Sequence, residues 1–499
     1  MQGALARALQ LKRWTEVERL VMADSESEPS ERMRLLAVAR LNLGRPEEAY
    51  AAIQAATEFA PQSAPIWTNR GSILRTLGRL HEAADAFERA AALDPTLAAP
   101  CFNLGKLLSS DARLRAAREP LLEATRRDPK HVEAWCALGR VEVGLGNVTA
   151  AIATFRRALA LRPTTGAAWW GLANLKTVAF DRADQAQLDA LWVQPNIGAD
   201  DRTLIGFARA HAHLANGEDA TGWRALLDAN ALKRSHLQWD LQRHRNWVDD
   251  VIRLWQQPRQ PAGDPARGSN VIFILGLPRS GSTLLEQVLA AHSLVSAASE
   301  LPDLQQVLRS HSPKLDAREL AACSTEDFAA LGTQYLQRTE RWRAERPWMV
   351  DKMPANFLHI GAIRLMLPGA HIIDMRRDLR DCAYSCFLQH FAHTAPWSND
   401  LAELKAWCAD YERLMQHWLA FDGDAVIRVH YEALVASPEH VTTSLLEAIG
   451  LPWEPGCCQP HEVNREVRTA SAAQVREPMD QRGRGRWRRF ESVFSDWPS

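Results

Sequence analysis

Prolines recur every 34 residues in the first third of this 499-residue chain, at Pro61, Pro95, Pro129 and Pro163. Ala49, Ala83, Ala117 and Ala151 keep the same period, and so do Ala56, Ala90, Ala124 and Ala158. Ile53, Phe87, Leu121 and Phe155 fill one large apolar slot. Trp67, Cys101, Trp135 and Trp169 open successive units, and Gly71, Gly105 and Gly139 sit four residues after the first three openings. A period with small, large and chain-breaking positions in register specifies stacked helical hairpins. Small residues let the two helices cross closely, the large one fills the space beside them, and proline ends the second helix. Stacked hairpins form a superhelix with a concave groove.

This pattern resembles the tetratricopeptide repeat, W-x2-L-G … A-x3-F … P. Residues 30–180 are expected to form the array, with four full repeats over roughly 30–163 and a half repeat from Gly166. Residues 1–29 read as a degenerate helical cap. Residues 170–257 stay helical but lose the period, and 181–257 read as a connector. Within it, Arg202–Lys233 is compatible with one aberrant repeat, through Ala208, Ala210, Ala212, Trp223 and Leu226-Leu227. Pro258, Pro261, Gly263 and Pro265 mark residues 258–269 as a linker. The groove reads as a site for a peptide or protein, or the array as a scaffold or dimerisation arm.

A second constraint begins at Val271. Val271–Leu275 is a short β-branched apolar run, the pattern of a buried parallel strand. Gly276-Leu277-Pro278-Arg279-Ser280-Gly281 is a turn, and Ser282-Thr283-Leu284-Leu285 opens a helix with Val288 and Leu289 on the same face. Strand, glycine-bounded loop and helix together hold a phosphate. The loop N–H groups converge on the anion and the helix N-terminus adds positive partial charge. The spacing nearly matches G-x-x-x-x-G-K-[ST], but Ser282 stands where the lysine belongs and Arg279 supplies a cation one turn earlier. The loop therefore suits a single phosphate-like group on a 5′ carbon.

Other strand-like runs follow at Trp348–Lys352, His371–Met375 and Ala425–Val429, separated by helical stretches. The alternation predicts a parallel sheet covered on both faces, with ligands beyond the carboxyl ends of its strands. At those ends stand Arg279, Ser282 and Thr283; Asp351-Lys352-Met353-Pro354; Arg376-Arg377-Asp378 with Ser385 further on; and His430-Tyr431-Glu432. Cations and hydroxyls there make a pocket for a polyanion of modest size. The net charge of −1 requires such a site to be local and argues against a dedicated nucleic-acid binder. No apolar run approaches the roughly 18 residues of a membrane span, and no secretory leader is visible at the start. The eight cysteines are scattered without CxxC pairs, so a reduced, cytoplasmic setting is expected. No metal-ligand cluster is visible.

The string P-R-S-G-S-T at 278–283, K-x-P at 352–354, R-D-x-R-x-x-x-x-S at 377–385 and Y-E at 431–432 resemble the sulfotransferases. They are most similar to the tyrosylprotein sulfotransferases and related bacterial repeat-bearing enzymes. These use 3′-phosphoadenosine 5′-phosphosulfate (PAPS) and release 3′-phosphoadenosine 5′-phosphate (PAP). The resemblance implies an α-solenoid followed by a P-loop-type, three-layer parallel-sheet α/β domain over 270–499. It implies that Pro278, Arg279, Ser280, Gly281, Ser282 and Thr283 hold the 5′-phosphosulfate, and Arg377 and Ser385 the 3′-phosphate. Arg380 is at most an indirect support, and Tyr431 joins the cofactor set. Glu300, 21 residues after Arg279, is implied as the base; the other reading makes it a first-turn helix residue capped by Ser299. Arg279, Lys352 and Ser471 would stabilise the transferred group. Arg486-Trp487, in the basic stretch Arg482–Arg489, would help close over PAPS as a lid; an RNA-binding tail is the competing reading. One departure is Gln389, which replaces a further arginine of the tyrosylprotein enzymes.

The expected reaction moves a sulfuryl group from PAPS to an acceptor hydroxyl, on a peptide or protein with tyrosine plausible. It needs no metal, and a homodimer is left open. The alternatives are an interaction scaffold with a degenerate PAP-binding domain, or a P-loop kinase. The kinase lacks its loop lysine and an obvious Mg²⁺-binding aspartate at the end of an apolar strand.

Overall fold

The computed structural model describes residues 2–392, 394–421 and 425–497 of the chain. Two compact units are present, residues 1–171 and 172–499.

The first unit is built from helical hairpins. Helices Gln2–Gln10 and Trp14–Met22 form a pair, followed by Pro29–Asn42 with Pro46–Phe59 and Ala64–Thr76 with Leu80–Leu93. Ala98–Ser110 pairs with Leu114–Arg127 and Val132–Leu145 with Val148–Leu161. The 34-residue pattern has a direct physical cause. A Cβ added to Gly71 would lie 2.6 Å from the Phe87 ring, one on Gly105 2.5 Å from Leu121, and one on Gly139 2.5 Å from the Phe155 ring. Each glycine thus makes room for the large residue of its own hairpin, which is fully buried. The proline and tryptophan slots are linked as well. The indole N–H groups of Trp67, Trp135 and Trp169 donate to the carbonyls of Pro61, Pro129 and Pro163 at 2.8, 3.0 and 2.9 Å.

The second unit holds a five-stranded parallel sheet: β1 (Val271–Gly276), β2 (Val295–Ala297), β3 (Trp348–Lys352), β4 (His371–Arg376) and β5 (Val426–His430), in the order β2-β3-β1-β4-β5. Every residue of β1 is buried, as a central strand covered on both faces requires. Ile272 and Ile274 pack on one face with Leu285, Val288, Leu289, Leu445 and Leu446. Phe273 points to the other, its ring centroid 5.7 Å from that of Tyr335 in helix Thr325–Arg338. Edge strand β2 has only three residues, Val-Ser-Ala, too short and too polar for a periodicity signal, and the sequence reading does not contain it.

Helices Arg182–Val193, Ala199–Ala215, Asp219–Ser235 and Leu241–Leu254 belong to the same unit as the sheet. The proline-bearing stretch after them is tied down: Arg267 Nε donates to Met366 O at 2.7 Å and Arg259 to Cys323 O at 2.6 Å. Among the described residues, no helix is long and apolar enough to cross a membrane.

Two aspartates do stand on the sheet strands, Asp351 on β3 and Asp374 on β4, both fully buried. Each accepts a phenol O–H instead of facing a ligand, from Tyr335 at 2.7 Å and from Tyr411 at 2.6 Å. Burial pushes Asp351 up to about 7 and Asp374 up to about 6, since the low-dielectric core disfavours the charged form.

Two predictions follow from this packing. Gly→Ala inside a helix ordinarily stabilises by up to about 1 kcal/mol, but Gly139→Ala should destabilise the array by about 1–3 kcal/mol through overpacking against Phe155. The urea midpoint of the array transition should fall, and Phe155→Leu in the same chain should restore part of it. The second concerns pH. Asp351 is protonated in the folded state up to about 7 but ionises near 4 when unfolded. Its contribution to stability is present below pH 4 and is lost as pH rises through 7. Asp351→Asn should remove that part of the slope in a pH series of denaturant unfolding.

Candidate functional site

The loop after β1 owes its shape to its two glycines. Gly276 has φ +135° and a Cβ there would meet Met375 O at 2.6 Å; Gly281 has φ +104° and a Cβ there would meet the Tyr431 ring at 2.8 Å. Gly281 caps helix Ser282–Ala290, whose first residues Ser282 and Thr283 are buried with their hydroxyls in the first turn. Arg279 takes the left-handed conformation at φ +70°, uncommon for a residue with a side chain and found where surrounding structure enforces it.

That conformation sends Arg279 across the carboxyl end of the sheet. Its Nε donates to Ser385 Oγ at 3.0 Å, Nη1 to Ser471 Oγ at 2.7 Å and Nη2 to Gln474 Oε1 at 3.3 Å. Thr283 is hydrogen-bonded to Thr469 at 3.2 Å. Arg377 Nη1 donates to the carbonyl of Arg279 at 2.9 Å, and Nη2 to Gly483 O. The Arg377 guanidinium also lies 4.8 Å from the centre of the Tyr431 ring. Burial, with Arg377 and Arg486 nearby, lowers Arg279 to about 10. Ser280 Oγ and Arg377 Nε are buried with no protein partner among the described residues, so both remain able to bind a further group.

Glu300 and Lys352 meet: Lys352 Nζ is 2.5 Å from Glu300 Oε1, with Lys352 wholly buried and the Glu300 side chain 45% exposed. Glu300 is not a first-turn helix residue. The helix begins at Asp303, and Ser299 forms no cap; it has φ +64°. The Ser299 backbone N–H donates to Glu286 Oε1 at 2.8 Å, and its carbonyl accepts from Lys352 N at 3.0 Å. Glu286 is itself buried and paired with Arg465 at 2.8 Å. This fixed loop presents Glu300 outward.

The C-terminal basic stretch folds down onto helix Leu379–Phe387. Asp381 accepts the N–H groups of Gly485 at 2.7 Å and Trp487 at 3.1 Å. Arg380 bonds Asp378 and lies 4.1 Å above the Trp487 ring. Trp487 is therefore buried beneath Arg380 and does not line the cavity, whereas Arg486 does.

The structure thus brings Pro278, Arg279, Gly281, Ser282, Thr283, Glu300, Arg377, Ser385, Tyr431, Ser471 and Arg486 to the wall of one cavity of about 590 Å³. Ser280 and Lys352 sit behind that wall. Gln389 lines it as a buried neutral side chain. Lys176, His211 and Gln474 also line it and Glu286 supports it, though no sequence signal marked them. Lys176 and His211 come from aperiodic helical sequence, and Glu286 looks like the polar face of a surface helix. Burial lowers His211 to about 4, leaving a neutral ring whose Nε2 donates to Leu388 O at 3.0 Å. Among the described residues, no group of three or more His, Cys, Asp or Glu side chains is placed to hold a metal. A cavity walled by arginines, hydroxyls and loop N–H groups fits a nucleotide-sized polyanion.

Residues 271–455 match the sulfotransferase family model, and residues 34–98, 102–165 and 136–175 match the tetratricopeptide repeat model. An uncharacterized protein of Aquifex aeolicus is 30% identical over 325 residues, which are 62% of this chain and 42% of that protein. The protein-tyrosine sulfotransferase of Drosophila melanogaster is 25% identical over 219 residues, 42% of this chain and 44% of that one. Protein-tyrosine sulfotransferase 1 of Danio rerio is 25% identical over 219 residues, 42% of this chain and 61% of that one. The matches span about two fifths to three fifths of these relatives. Among solved structures, MamA of Desulfovibrio magneticus RS-1 is similar, at 21% identity and a TM-score of 0.29, over 33% of this chain and 93% of that one. The chain carries a tetratricopeptide-repeat array followed by a domain that matches the sulfotransferase family over residues 271–455.

Proposed function

We propose that the second unit is a PAPS-dependent sulfotransferase acting on an acceptor hydroxyl, of a peptide or protein and with tyrosine as the favoured side chain. The observation that carries this reading is the pairing of Glu300 with Lys352 beside a cavity whose wall carries Arg279, Arg377 and Arg486. Under this reading the Gly276–Gly281 loop, Ser282 and Thr283 hold the 5′ group of the donor. Arg377 and Ser385 hold the 3′-phosphate, with Arg377 Nε as a donor that the protein leaves unused. Tyr431 packs on the Arg377 guanidinium and keeps it in place. Trp487 does the same for Arg380 from beneath the C-terminal segment.

PAPS supplies the sulfuryl group when bound. The residues of the chain do the rest. Glu300, exposed to the cavity, takes the proton of the acceptor hydroxyl. Lys352, buried behind the wall, orients that carboxylate with one N–H, and Arg279 and Ser471 on the wall supply donors for anionic oxygens. Catalysis of this kind is mostly positioning and electrostatics. The repeat array fits the peptide-acceptor reading, since stacked hairpins present a concave surface to extended chains.

The decisive experiment is calorimetric titration of the full chain with PAP and, separately, with Mg·ATP. Tight PAP binding that is lost in Arg377→Ala is expected; a preference for Mg·ATP would end the sulfotransferase reading, and binding of neither would favour a scaffold. Glu300→Gln should lower turnover of a tyrosine peptide with PAPS by at least about 10²-fold, the scale of a lost general base. Its PAP affinity should stay within a few-fold of wild type. An active Glu300→Gln enzyme would remove the base assignment.

A further inference from the structure

Lys176 stands at a helix end in a backbone conformation that favours glycine. Helix Gly166–Asn174 ends just before it, and Lys176 takes the left-handed conformation at φ +62°. The first helices of three hairpins in the array end on Gly44, Gly78 and Gly146, at φ +76°, +76° and +86°, and those of two others on Lys12 and Ala112, at φ +53° and +62°. A side chain in this region carries a steric cost that glycine does not. Arg279 and Ser299 bear the same cost at φ +70° and +64°, beside the same cavity.

The conformation directs the Lys176 side chain at the cavity. Its Nζ lies 3.3 Å from Ala470 O and 3.2 Å from Gln474 Oε1. Arg279 Nη2 reaches that same amide oxygen at 3.3 Å. Two cations therefore share one neutral acceptor, and neither has an ion pair among the described residues. Other arginines in the unit are matched by carboxylates: Arg376 by Glu412, Arg234 by Glu403, Arg465 by Glu286. Burial pushes the Lys176 ammonium well below its ordinary value, and Arg279, Arg486 and Arg377 push it the same way. Lys176, Arg279 and Arg486 have no carboxylate partner among the described residues and Arg377 has only Asp381 at 3.8 Å, so an anion joining the four would relieve the cost of burying them together.

We propose that Lys176 is an anion-binding residue of the transferase site, completing with Arg279, Arg377 and Arg486 a cradle for a phosphate group of the donor nucleotide. The inference rests on the donor reading given above. It extends the site beyond the residues that match the sulfotransferase family, into the helical sequence ahead of the sheet.

Lys176→Met in the full chain should weaken PAP binding on the order of 10–100-fold, the worth of a charge-assisted hydrogen bond. Lys176→Arg should bind within a few-fold of wild type. Titrations with 5′-AMP identify the group that Lys176 touches. A loss common to PAP and 5′-AMP places it on the 5′ group, and a loss confined to PAP places it on the 3′-phosphate. The melting temperature of ligand-free Lys176→Met should equal or exceed that of wild type, because an unmatched cation has been removed; a merely structural lysine would lower it. Wild-type PAP binding with unchanged affinity in Lys176→Met overturns the assignment of Lys176 alone. Absence of PAP binding in wild type removes the donor reading and this inference with it.

Discussion

The Arg377 guanidinium touches three segments that are distant in the chain. It donates to the carbonyl of Arg279 in the loop after β1, to Gly483 O in the C-terminal stretch, and it packs on the Tyr431 ring after β5. Asp381, one helical turn on, lies 3.8 Å from the same guanidinium and accepts the N–H groups of Gly485 and Trp487. The planar fork of arginine makes this possible, because several donors point in fixed directions from one rigid group. Remove it and the loop carbonyl, the C-terminal fold and the wall of the cavity lose their common anchor together.

Charge is distributed unevenly in the sheet domain, and the unevenness has a physical logic. The acids nearest the sheet centre, Asp351 and Asp374, are kept from ionising easily by burial, and each is satisfied by a tyrosine hydroxyl. They provide little negative charge to offset the arginines at the strand ends. Arg279 is instead met by neutral acceptors, the hydroxyls of Ser385 and Ser471 and the Gln474 amide. Such acceptors satisfy hydrogen bonds without cancelling charge, so the cavity keeps a positive potential for a polyanion. Glu300 is held at the rim by Lys352 on one side and by the Glu286-anchored loop on the other, while Glu477 and Asp480 on the same wall are paired with Arg482.

How much of this could be read in advance depended on distance along the chain. The hairpins were legible because each glycine and its partner recur within one unit, as Gly139 and Phe155 do. The loop after β1 was legible because its glycines, arginine and hydroxyls are consecutive. Strand β2 was not, since three residues carry no period. The aspartates on β3 and β4 lie in strand runs that the sequence shows, but only the fold reveals that tyrosines cover them.

The sequence by itself determined the hairpin stack, the strand–loop–helix unit and the residue types at four strand ends. These are local matters: steric fit within 34 residues, the conformational freedom of glycine, and alternation of apolar runs. Tertiary structure alone decided which cations share a cavity. Lys176 and Gln474 are 298 residues apart, and Arg279 and Ser471 are 192 apart. No local rule relates them, because their contact follows from sheet order and from the path of the C-terminal segment over helix Leu379–Phe387. The same applies to Trp487, read from sequence as part of a closing lid and found beneath Arg380, where a cation–π contact and the Asp381 carboxylate hold it.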